Sequence, residues 1–465
     1  MSEQQITLPQ AFVERMREQL GAEADAFFAS YESPQAYGLR RNPLKQTAEQ
    51  FERLMPWQLE PVGWADEGYY YSDADRPGKH VYHEMGLYYI QEPSAMCVAQ
   101  IADPQPGEIV LDLCAAPGGK STQLAGRMEG EGLLVCNEIV PNRAKILAQN
   151  IERMGVKNAV VLNHSPQELE ARFSAFFDRI VVDAPCSGEG MFHKEEAALT
   201  EWSPENVQMC AQRQRDILAS AVNMLCPGGV LVYSTCTFAP AEDEDMIRWL
   251  LETYPDLTLQ PVDTAALGIS DGEIRGTGRI YPHRQRGEGH FVARLMKVGI
   301  RLPRQSVART SDDSFGKRDK KGKKKTKDAA PTDAWAGYKA FAKQYLRCEL
   351  NGCRQMFGEQ LYLIPQEMPD LRGMKVLRPG LHLGTDKKNR FEPSHALALA
   401  LRADQVAQVC ETDEPQQYLR GMTLNCNPAL DGWVLVTYQG MPLGWGKASR
   451  GVVKNHYPKG LRINW

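Results

Sequence analysis

The sequence predicts an open α/β sheet with mostly parallel strands, and three observations support this fold class. Between residues 111 and 295, short apolar or β-branched runs alternate with longer helical stretches. A turn of small residues joins the first run to a helix, and a cysteine among small and polar residues follows two later runs. Strands separated by helices form a sheet whose carboxyl ends create the ligand crevice.

The individual elements follow from this alternation. The predicted strands are IVLDLC, LLVCNE, AVVLN, RIVVD, GVLVYST and HFVARL. The predicted helices cover residues 120–128, 142–154, 204–225 and 241–254. Each of these helices lies between two strands, as the crossover connections of a parallel sheet require.

The 465-residue chain is long enough for further domains. Residues 1–95 hold an amphipathic helix, the basic element LRRNPLK and a Trp- and Tyr-rich stretch, which predict a small α/β domain before the main domain at 96–300. Residues 301–334 are polar and lysine-rich and predict a linker. Residues 335–465 predict a last compact region, with strand-like LYLIP, KVLRP and WVLVTYQG and a helix over 393–404.

Composition excludes several classes of protein. The chain has no run of about 18 apolar residues, and its first residues lack the layout of a signal peptide, so we expect a cytoplasmic protein without a membrane partner. Eleven cysteines without a C-x-x-C pair indicate reduced thiols, and neither cysteines nor histidines have metal-site spacing, so we expect no metal. We also expect a monomer.

Positive charge is concentrated in residues 317–327, which hold eight basic residues and one acid, a net +7. The whole chain carries −4, so the remainder carries −11. The segment has two interpretations, a basic arm for a phosphate-bearing partner or a solvated flexible linker, and the run alone does not separate them.

The turn CAAPGGK after the first strand is typical of a nucleotide-type cofactor site. Its small residues let backbone amides approach a ligand at a helix N-terminus. The spacing matches neither G-x-G-x-x-G nor the Walker motif, which disfavours a pyrophosphate ligand. Glu138 ends the second strand and suits a ribose diol, so a nucleoside cofactor is expected, and S-adenosylmethionine fits.

Cys186 and Cys236 each follow a strand, and neighbouring strand ends would bring them together. A lone cysteine there is more often a buried structural thiol, but two of them beside Asp183 favour chemistry. A thiolate that adds to C6 of a pyrimidine makes C5 nucleophilic, and a second residue can assist the later elimination. Asp183 suits the N3/N4 edge of the base; its alternative role is to cap the turn before Ala184.

The motifs DLCAAPGGKSTQL, VCNE, VVDAPCSGEGMF, WSPE, PGGVLVYSTCT and GHFVARL resemble those of the Sun/Nop-type RNA cytosine-5 methyltransferases. LRRNPLK resembles the N-terminal RNA-binding motif of that family. The segments 383–401 and 441–463 are similar to the tail of the bacterial 16S ribosomal RNA methyltransferase F branch, which carries a PUA-like RNA-binding domain. The resemblance implies a Rossmann-like S-adenosylmethionine-dependent methyltransferase sheet with a small N-terminal α/β domain and a PUA-like C-terminal region.

The resemblance also implies roles for individual residues. Cys236 is the expected nucleophile and Cys186 the residue that promotes product release, with Asp183 and Lys120 completing the catalytic set. The expected cofactor-binding residues are Cys114, Ala115, Ala116, Pro117, Gly118, Gly119, Lys120, Glu138 and Asp183. The family commonly has an adenine-contacting aspartate where this chain has Ser165, so Ser165 or Asn163 is expected to make that contact.

RNA is the expected partner, specifically 16S ribosomal RNA or the 30S subunit. The expected RNA contacts are Arg40, Arg41, Lys45, Lys447, Arg450 and Lys454. For the tail residues, the alternative is that the aromatics among them pack a small core. The predicted activity is methylation of cytosine C5 in 16S ribosomal RNA through a cysteine–C6 adduct. The alternatives are the same chemistry on transfer RNA and a non-catalytic RNA-binding ribosome assembly factor.

Overall fold

The computed structural model describes residues 7–301, 335–387 and 390–463. Within this part, the chain forms two compact units. The first contains residues 7–76, 88–147 and 162–301, and the second contains the remaining described residues. Apart from its first residue, the predicted linker 301–334, with the basic segment 317–327, lies outside the described residues.

The first unit begins with a small antiparallel sheet flanked by helices. Up to residue 102 the helices of this unit are α1 (Gln10–Leu20), α2 (Ala24–Ala29), α3 (Ala48–Leu54) and α5 (Cys97–Ala102), while α4 (Val81–Glu84) belongs to the second unit. The strands are β1 (Gly38–Arg41), β2 (Glu60–Pro61), β3 (Gly68–Tyr70) and β4 (Tyr88–Ile90). The strand order is β2-β3-β1-β4. Helix α1 buries Phe12 and Met16, four residues apart, in an aromatic cluster with Phe27, Phe192 and Trp202.

The large sheet follows. The strands between residues 109 and 297 are β5 (Ile109–Asp112), β6 (Leu133–Asn137), β7 (Ala159–Leu162), β8 (Phe177–Asp183), β9 (Leu225–Thr235), β10 (Leu257–Gln260), β11 (Ser270–Asp271), β12 (Gly278–Ile280) and β13 (His290–Lys297). All but the last residue of β7 belongs to the second unit. The helices between these strands are α6 (Gly119–Arg127), α7 (Pro141–Arg153), α8 (Pro166–Glu170), α9 (Glu196–Glu201), α10 (Pro204–Met224), α11 (Glu244–Thr253) and α12 (Thr264–Leu267). Every strand and helix predicted for this region is present, with ends that differ by a few residues.

The sheet is mixed rather than mostly parallel. In the first unit the strand order is β11-β12-β13-β9-β8-β5-β6, with β10 paired to β13. The pairs β5/β6, β5/β8 and β8/β9 are parallel, whereas β13 runs antiparallel to β9 and to its other partners. The prediction missed β10, β11 and β12 because these strands have only two to four residues each.

The register of β8 and β9 determines where the site forms. Asp183, the last residue of β8, lies opposite Ser234 in β9. The strands are buried almost throughout, as expected for strands covered on both faces, so only their carboxyl ends reach open space. The two segments that carry the predicted cysteines therefore begin side by side.

The second unit contains two further sheets, of order β14-β15-β17-β18 and β19-β21-β22-β23-β20, while β16 neighbours β7. Its strands are β14 (Cys353–Phe357), β15 (Gln360–Ile364), β16 (Val376–Arg378), β17 (Leu381–Lys387), β18 (Arg390–Pro393), β19 (Val409–Glu411), β20 (Leu424–Asn425), β21 (Gly432–Tyr438), β22 (Met441–Ser449) and β23 (Val452–Asn455), and its later helices are α13 (Ala336–Tyr345), α14 (His395–Ala400) and α15 (Pro415–Leu419). Trp433 and Trp445 pack in a core with Phe341 and Leu397, so these tail aromatics form a core. Among the helices of the described residues, none has the length and apolar character that crossing a bilayer requires.

Candidate active site

Cys186 and Cys236 lie beside each other, with 3.2 Å between their Sγ atoms. Backbone hydrogen bonds hold the two segments together: the amide of Ala184 donates to Ser234 O at 2.9 Å, and the amide of Gly190 donates to Cys236 O at 2.8 Å. The prediction that the two cysteines are neighbours in space is confirmed. The hydrogen bond to Cys236 and then burial raise the pKa of Cys186 well above its usual range, so this thiol is protonated at neutral pH.

Asp183 connects three elements at the same edge of the sheet. Its Oδ2 lies 2.7 Å from Lys120 Nζ, and its Oδ1 accepts from Ser234 Oγ at 2.8 Å and lies 3.5 Å from His290 Nε2. Burial alone would raise the pKa of Asp183, but Lys120 and His290 outweigh burial and hold it well below its usual range. Burial lowers the pKa of Lys120, but the neighbouring Asp183 carboxylate outweighs burial and raises it. The site thus holds a fixed carboxylate and a fixed ammonium.

The predicted cofactor turn joins β5 to α6. Gly118 precedes α6 with φ of 115°, a left-handed conformation that glycine adopts without strain. The amide of Ala115 donates to Asn137 O at 2.8 Å, which ties the turn to the end of β6, where Glu138 follows. Pro117 and Gly119 complete the tight path into the helix. The turn therefore brings the N-terminus of α6, with its amide groups, to the edge of the sheet that carries Asp183.

A cavity of about 750 Å³ opens at this edge. Its lining includes Cys114, Ala116, Asn137, Glu138, Arg143, Gln167, Asp183, Cys186 and Cys236. The volume lies within the range of small-molecule and cofactor sites, and the lining combines apolar groups with a few charged ones. Glu138, which is 3% exposed, accepts from the amide of Val140 at 2.8 Å through Oε1, and its Oε2 lies 3.7 Å from Arg143. A buried acid at the end of the second strand is the group that a ribose diol requires, so the residues present fit a nucleoside cofactor.

Family models match nearly the whole chain. A model described as 16S rRNA methyltransferase RsmB/F matches residues 99–296, and the N-terminal domain of RsmF matches residues 8–93. The first C-terminal domain of RsmF matches residues 340–401, and the RsmF PUA domain matches residues 410–463.

Full-length relatives decide the family. Ribosomal RNA small subunit methyltransferase F of Klebsiella pneumoniae is 34% identical over 482 residues, which cover 99% of this chain and 98% of the relative. The protein of the same name from Escherichia coli O17:K52:H18 is 33% identical over 479 residues, with the same coverage. The chain belongs to the ribosomal RNA small subunit methyltransferase F family.

Solved structures agree with this family in fold. A methyltransferase homologue from Pyrococcus horikoshii is 32% identical with a TM-score of 0.55, covering 63% of this chain and 96% of its own. NSun6 from the same organism has a TM-score of 0.56 at 22% identity, covers 63% of this chain and 99% of its own, and supports the fold alone. The predicted fold class, a Rossmann-like methyltransferase sheet with an N-terminal domain and a C-terminal PUA domain, is confirmed.

The structure gives Asn163 and Ser165 tasks other than contacting adenine. Asn163 Nδ2 donates to Glu138 O at 2.7 Å, so it holds the segment that carries Glu138. Ser165 caps α8, where its Oγ accepts from the amide of Glu168 at 3.2 Å. Neither residue lines the cavity; Pro166 and Gln167 from the same segment do. Both residues therefore lie beside the cavity wall, and their contact with adenine stays a prediction.

Arg40 is wrongly predicted as an RNA contact. Its side chain is fully buried, and its guanidinium donates to Gln91 Oε1 at 3.1 Å, Gly119 O at 3.0 Å and Thr122 Oγ1 at 2.7 Å. The Arg40 guanidinium is thus bonded to the start of α6 and cannot reach a phosphate. Arg41, half-buried, donates to Gln46 O at 2.9 Å.

The other predicted RNA contacts are more accessible. Lys45 is half-buried, whereas Lys447, Arg450 and Lys454 are exposed. Lys447 lies directly opposite Lys454 in the β22/β23 register, and Arg450 occupies the turn between these strands with φ of 50°. Like charges opposite each other oppose pairing, so this hairpin presents positive charge at a cost in stability.

Several residues of the site escaped the sequence prediction. Arg143, whose Nη2 donates to Ala116 O at 2.8 Å, and Gln167 line the cavity. His290 approaches Asp183, and Glu242 is buried next to the segment of Cys186. Four consecutive acids, residues 242–245, a few residues after a buried strand were the available signal for Glu242. Within the described ranges, no group of three or more His, Cys, Asp or Glu side chains is arranged to hold a metal ion.

Proposed function

We propose that this protein methylates C5 of cytosine in 16S ribosomal RNA and that the reaction passes through a covalent bond between Cys236 Sγ and C6 of the base. The observation that carries the proposal is the pair of thiols 3.2 Å apart in the wall of a cavity that Glu138 and Asp183 also line. One thiol suffices for a structural role. Two adjacent thiols beside a fixed carboxylate suit a cycle of covalent addition and elimination.

S-adenosylmethionine is the proposed methyl donor, and when bound it supplies an electrophilic methyl group on its sulfonium. The residues proposed to hold it are the turn 114–120, through its amides and small side chains, and Glu138, through the ribose hydroxyls. Arg143 supports both parts, because it bonds Ala116 O and lies near Glu138.

Cys236 starts the proposed cycle. Its sulfur forms a bond to C6, and the electron pair of the C5–C6 double bond moves onto C5, which becomes the nucleophilic carbon. Asp183 accepts a hydrogen bond from the amino group at C4 and stabilises positive charge on a ring protonated at N3. Lys120 keeps Asp183 ionised for this task, since their pair holds the pKa of the carboxyl low.

Cys186 completes the cycle. After C5 carries its methyl group, the C5 proton must leave, the electrons restore the C5–C6 double bond, and the C6–Sγ bond breaks. The negative charge of a Cys236 thiolate contributes to the high pKa of Cys186. Once Cys236 is bonded to carbon this charge is gone, so the Cys186 thiol loses its proton more easily, and its thiolate can then accept the C5 proton.

Covalent trapping tests these roles. Cys186→Ala incubated with RNA and S-adenosylmethionine is expected to accumulate an RNA–protein adduct stable to denaturing gel electrophoresis, whereas Cys236→Ala forms none. Equal adduct formation by the two variants would reject the assignment of attack and release.

The substrate proposal rests on the relatives, which are named for the small ribosomal subunit, and on the PUA domain match. Bisulfite sequencing of total RNA with and without the protein is expected to find 5-methylcytosine in small-subunit RNA, free or in 30S particles. Methylation found only in transfer RNA would favour the alternative substrate. A monomeric state, a cytoplasmic location and domain borders near residues 95, 300 and 334 remain proposals, which light scattering, fractionation and limited proteolysis can test.

A further inference from the structure

Glu242 is a buried carboxylate directly behind the two cysteine segments. It is fully inaccessible to solvent and ends the short helical turn Pro240–Glu242. Its Oε2 accepts from the amide of Ser187 at 3.0 Å and from Gln214 Nε2 at 2.8 Å, and its Oε1 accepts from Ser187 Oγ at 2.5 Å. A carboxylate that accepts three hydrogen bonds in the interior fixes the groups that donate them.

The pair Glu242–Gln214 holds both peptide groups that flank Cys186. Gln214 Nε2 donates to Pro185 O at 3.1 Å, on the N-terminal side, while Glu242 accepts from the amide of Ser187, on the C-terminal side. The backbone path through Cys186 is therefore defined from behind by two side chains. Gln214 belongs to α10 and Glu242 to the turn Pro240–Glu242, so two separate elements of the fold hold the cysteine segment.

The same network reaches the segment of Cys236. Ser187 Oγ lies 2.9 Å from Thr237 Oγ1, the side chain next to Cys236. Tyr233, three residues before Cys236, donates from its hydroxyl to Gln214 Oε1 at 3.0 Å and to Glu242 O at 2.5 Å. All five side chains of this network are buried in the first unit. Glu242 is therefore linked by hydrogen bonds to the segments of both thiols.

We propose that Glu242 is a positioning residue that fixes the separation of the Cys186 and Cys236 thiols and thereby sets the rate at which methylated RNA leaves Cys236. The proposal deepens the proposed function and rests on it. Attack does not involve Cys186, whereas release needs Cys186 within reach of the adduct. Loss of Glu242 therefore impairs release more than attack.

Glu242 also interacts with Cys186 through charge. Burial raises the pKa of Glu242 to about 7, even though hydrogen bonds from Ser187 and Gln214 lower it. Glu242 in turn contributes to the high pKa of Cys186. Glu242 thus acts on Cys186 through its charge as well as through the hydrogen bond to the Ser187 amide.

Two substitutions at this position test whether the hydrogen bonds of Glu242 are what the site requires. Glu242→Gln keeps an oxygen that accepts from the Ser187 amide and from Gln214, while its amide nitrogen donates to Ser187 Oγ, which can still donate to Thr237. Glu242→Ala removes all three acceptors. The matched control is Glu244→Ala, because Glu244 is an equally buried acid of the same stretch whose partner is Arg279, with N···O distances of 3.0 and 2.6 Å.

The test measures adduct and product together, with wild type and Cys186→Ala as references. Each protein is incubated with 16S ribosomal RNA and S-adenosylmethionine, and both the adduct fraction on a denaturing gel and the 5-methylcytosine formed are quantified. Glu242→Ala is expected to accumulate adduct about 10-fold above wild type, approaching Cys186→Ala, because a displacement on the order of 1 Å can cost about 100-fold in rate. Glu242→Gln is expected to restore a near-wild-type adduct fraction, and Glu244→Ala to keep the wild-type fraction.

Each outcome bears on one proposal. If Cys186→Ala itself traps no adduct, the covalent mechanism fails. The role of Glu242 is refuted if Cys186→Ala traps adduct but Glu242→Ala forms less product without accumulating adduct. It is also refuted if Glu244→Ala accumulates as much adduct as Glu242→Ala. Should Glu242→Ala fail to fold, Ser187→Ala removes only the hydroxyl that links Glu242 to Thr237. It is expected to raise the adduct fraction by a smaller factor, and a wild-type fraction in this variant would overturn the proposal.

Discussion

Replacement of Arg40 by methionine tests whether this arginine stabilises the interior or binds RNA. The guanidinium donates to three acceptors, and methionine supplies none of these hydrogen bonds. Gln91 Oε1 loses a charged donor, whereas Gly119 O keeps a bond from Thr122 Oγ1 at 3.1 Å. A buried acceptor that loses its partner costs about 1–3 kcal/mol, and bonds to charged groups are the stronger ones. Burial, which lowers the pKa of Arg40 to about 10, opposes part of this stabilisation.

We expect Arg40→Met to lower the free energy of unfolding by about 2–4 kcal/mol, measured by urea denaturation. The matched control is Arg41→Met, since Arg41 is half-buried and donates to Gln46 O; its expected cost is below about 1 kcal/mol. RNA affinity measured against salt concentration is expected to keep its slope in Arg40→Met. An unchanged stability together with a shallower salt slope would refute the structural role and restore Arg40 as an RNA contact.

Three further changes have defined outcomes. Lys120→Met leaves the Asp183 carboxylate without the Lys120 charge, and we expect it to lower the free energy of unfolding by about 3–5 kcal/mol in urea denaturation at pH 7. Because the pKa of Asp183 is lowered in the wild type, the difference in unfolding free energy should shrink as the pH falls below about 4. A difference that does not change with pH would contradict this expectation. Burial raises the pKa of Glu242 from 4.5 to about 7, so the native state holds this proton more tightly, and the stability of wild type relative to Glu242→Gln is expected to fall by about 3 kcal/mol as the pH rises from 4.5 to 7.5. A flat difference across that interval would mean that Glu242 is ionised throughout. Lys454→Ala removes an exposed charge opposite Lys447, so thermal stability should be kept or slightly raised while the salt slope of RNA binding falls by about 0.7; an unchanged slope would remove Lys454 from the RNA interface.

The strands around the site could be predicted because each is an apolar run with a turn after it. The proximity of Cys186 to Cys236 followed from the same pattern, since parallel strands end at a common edge. Strands β10, β11 and β12 could not be predicted, because two to four residues carry no periodic signal.

The two arginines of LRRNPLK illustrate a limit of reading charge from sequence. Successive residues of a strand point to opposite faces, so one of two adjacent arginines must point inwards if that face is covered. Only the packing of the start of α6 against the Arg40 side chain shows that Arg40 is the buried one. Asn163 and Ser165 show a second limit, because counting residues along the chain cannot tell that the cavity wall begins at Pro166.

The most direct test of the covalent mechanism is mass spectrometry of the RNA adduct formed by Cys186→Ala. After digestion of protein and RNA, we expect one modified peptide that contains Cys236 bonded through Sγ to a cytosine methylated at C5. A nucleotide attached to another cysteine, such as Cys114 in the same cavity, or the absence of any adduct while 5-methylcytosine still forms, would contradict it.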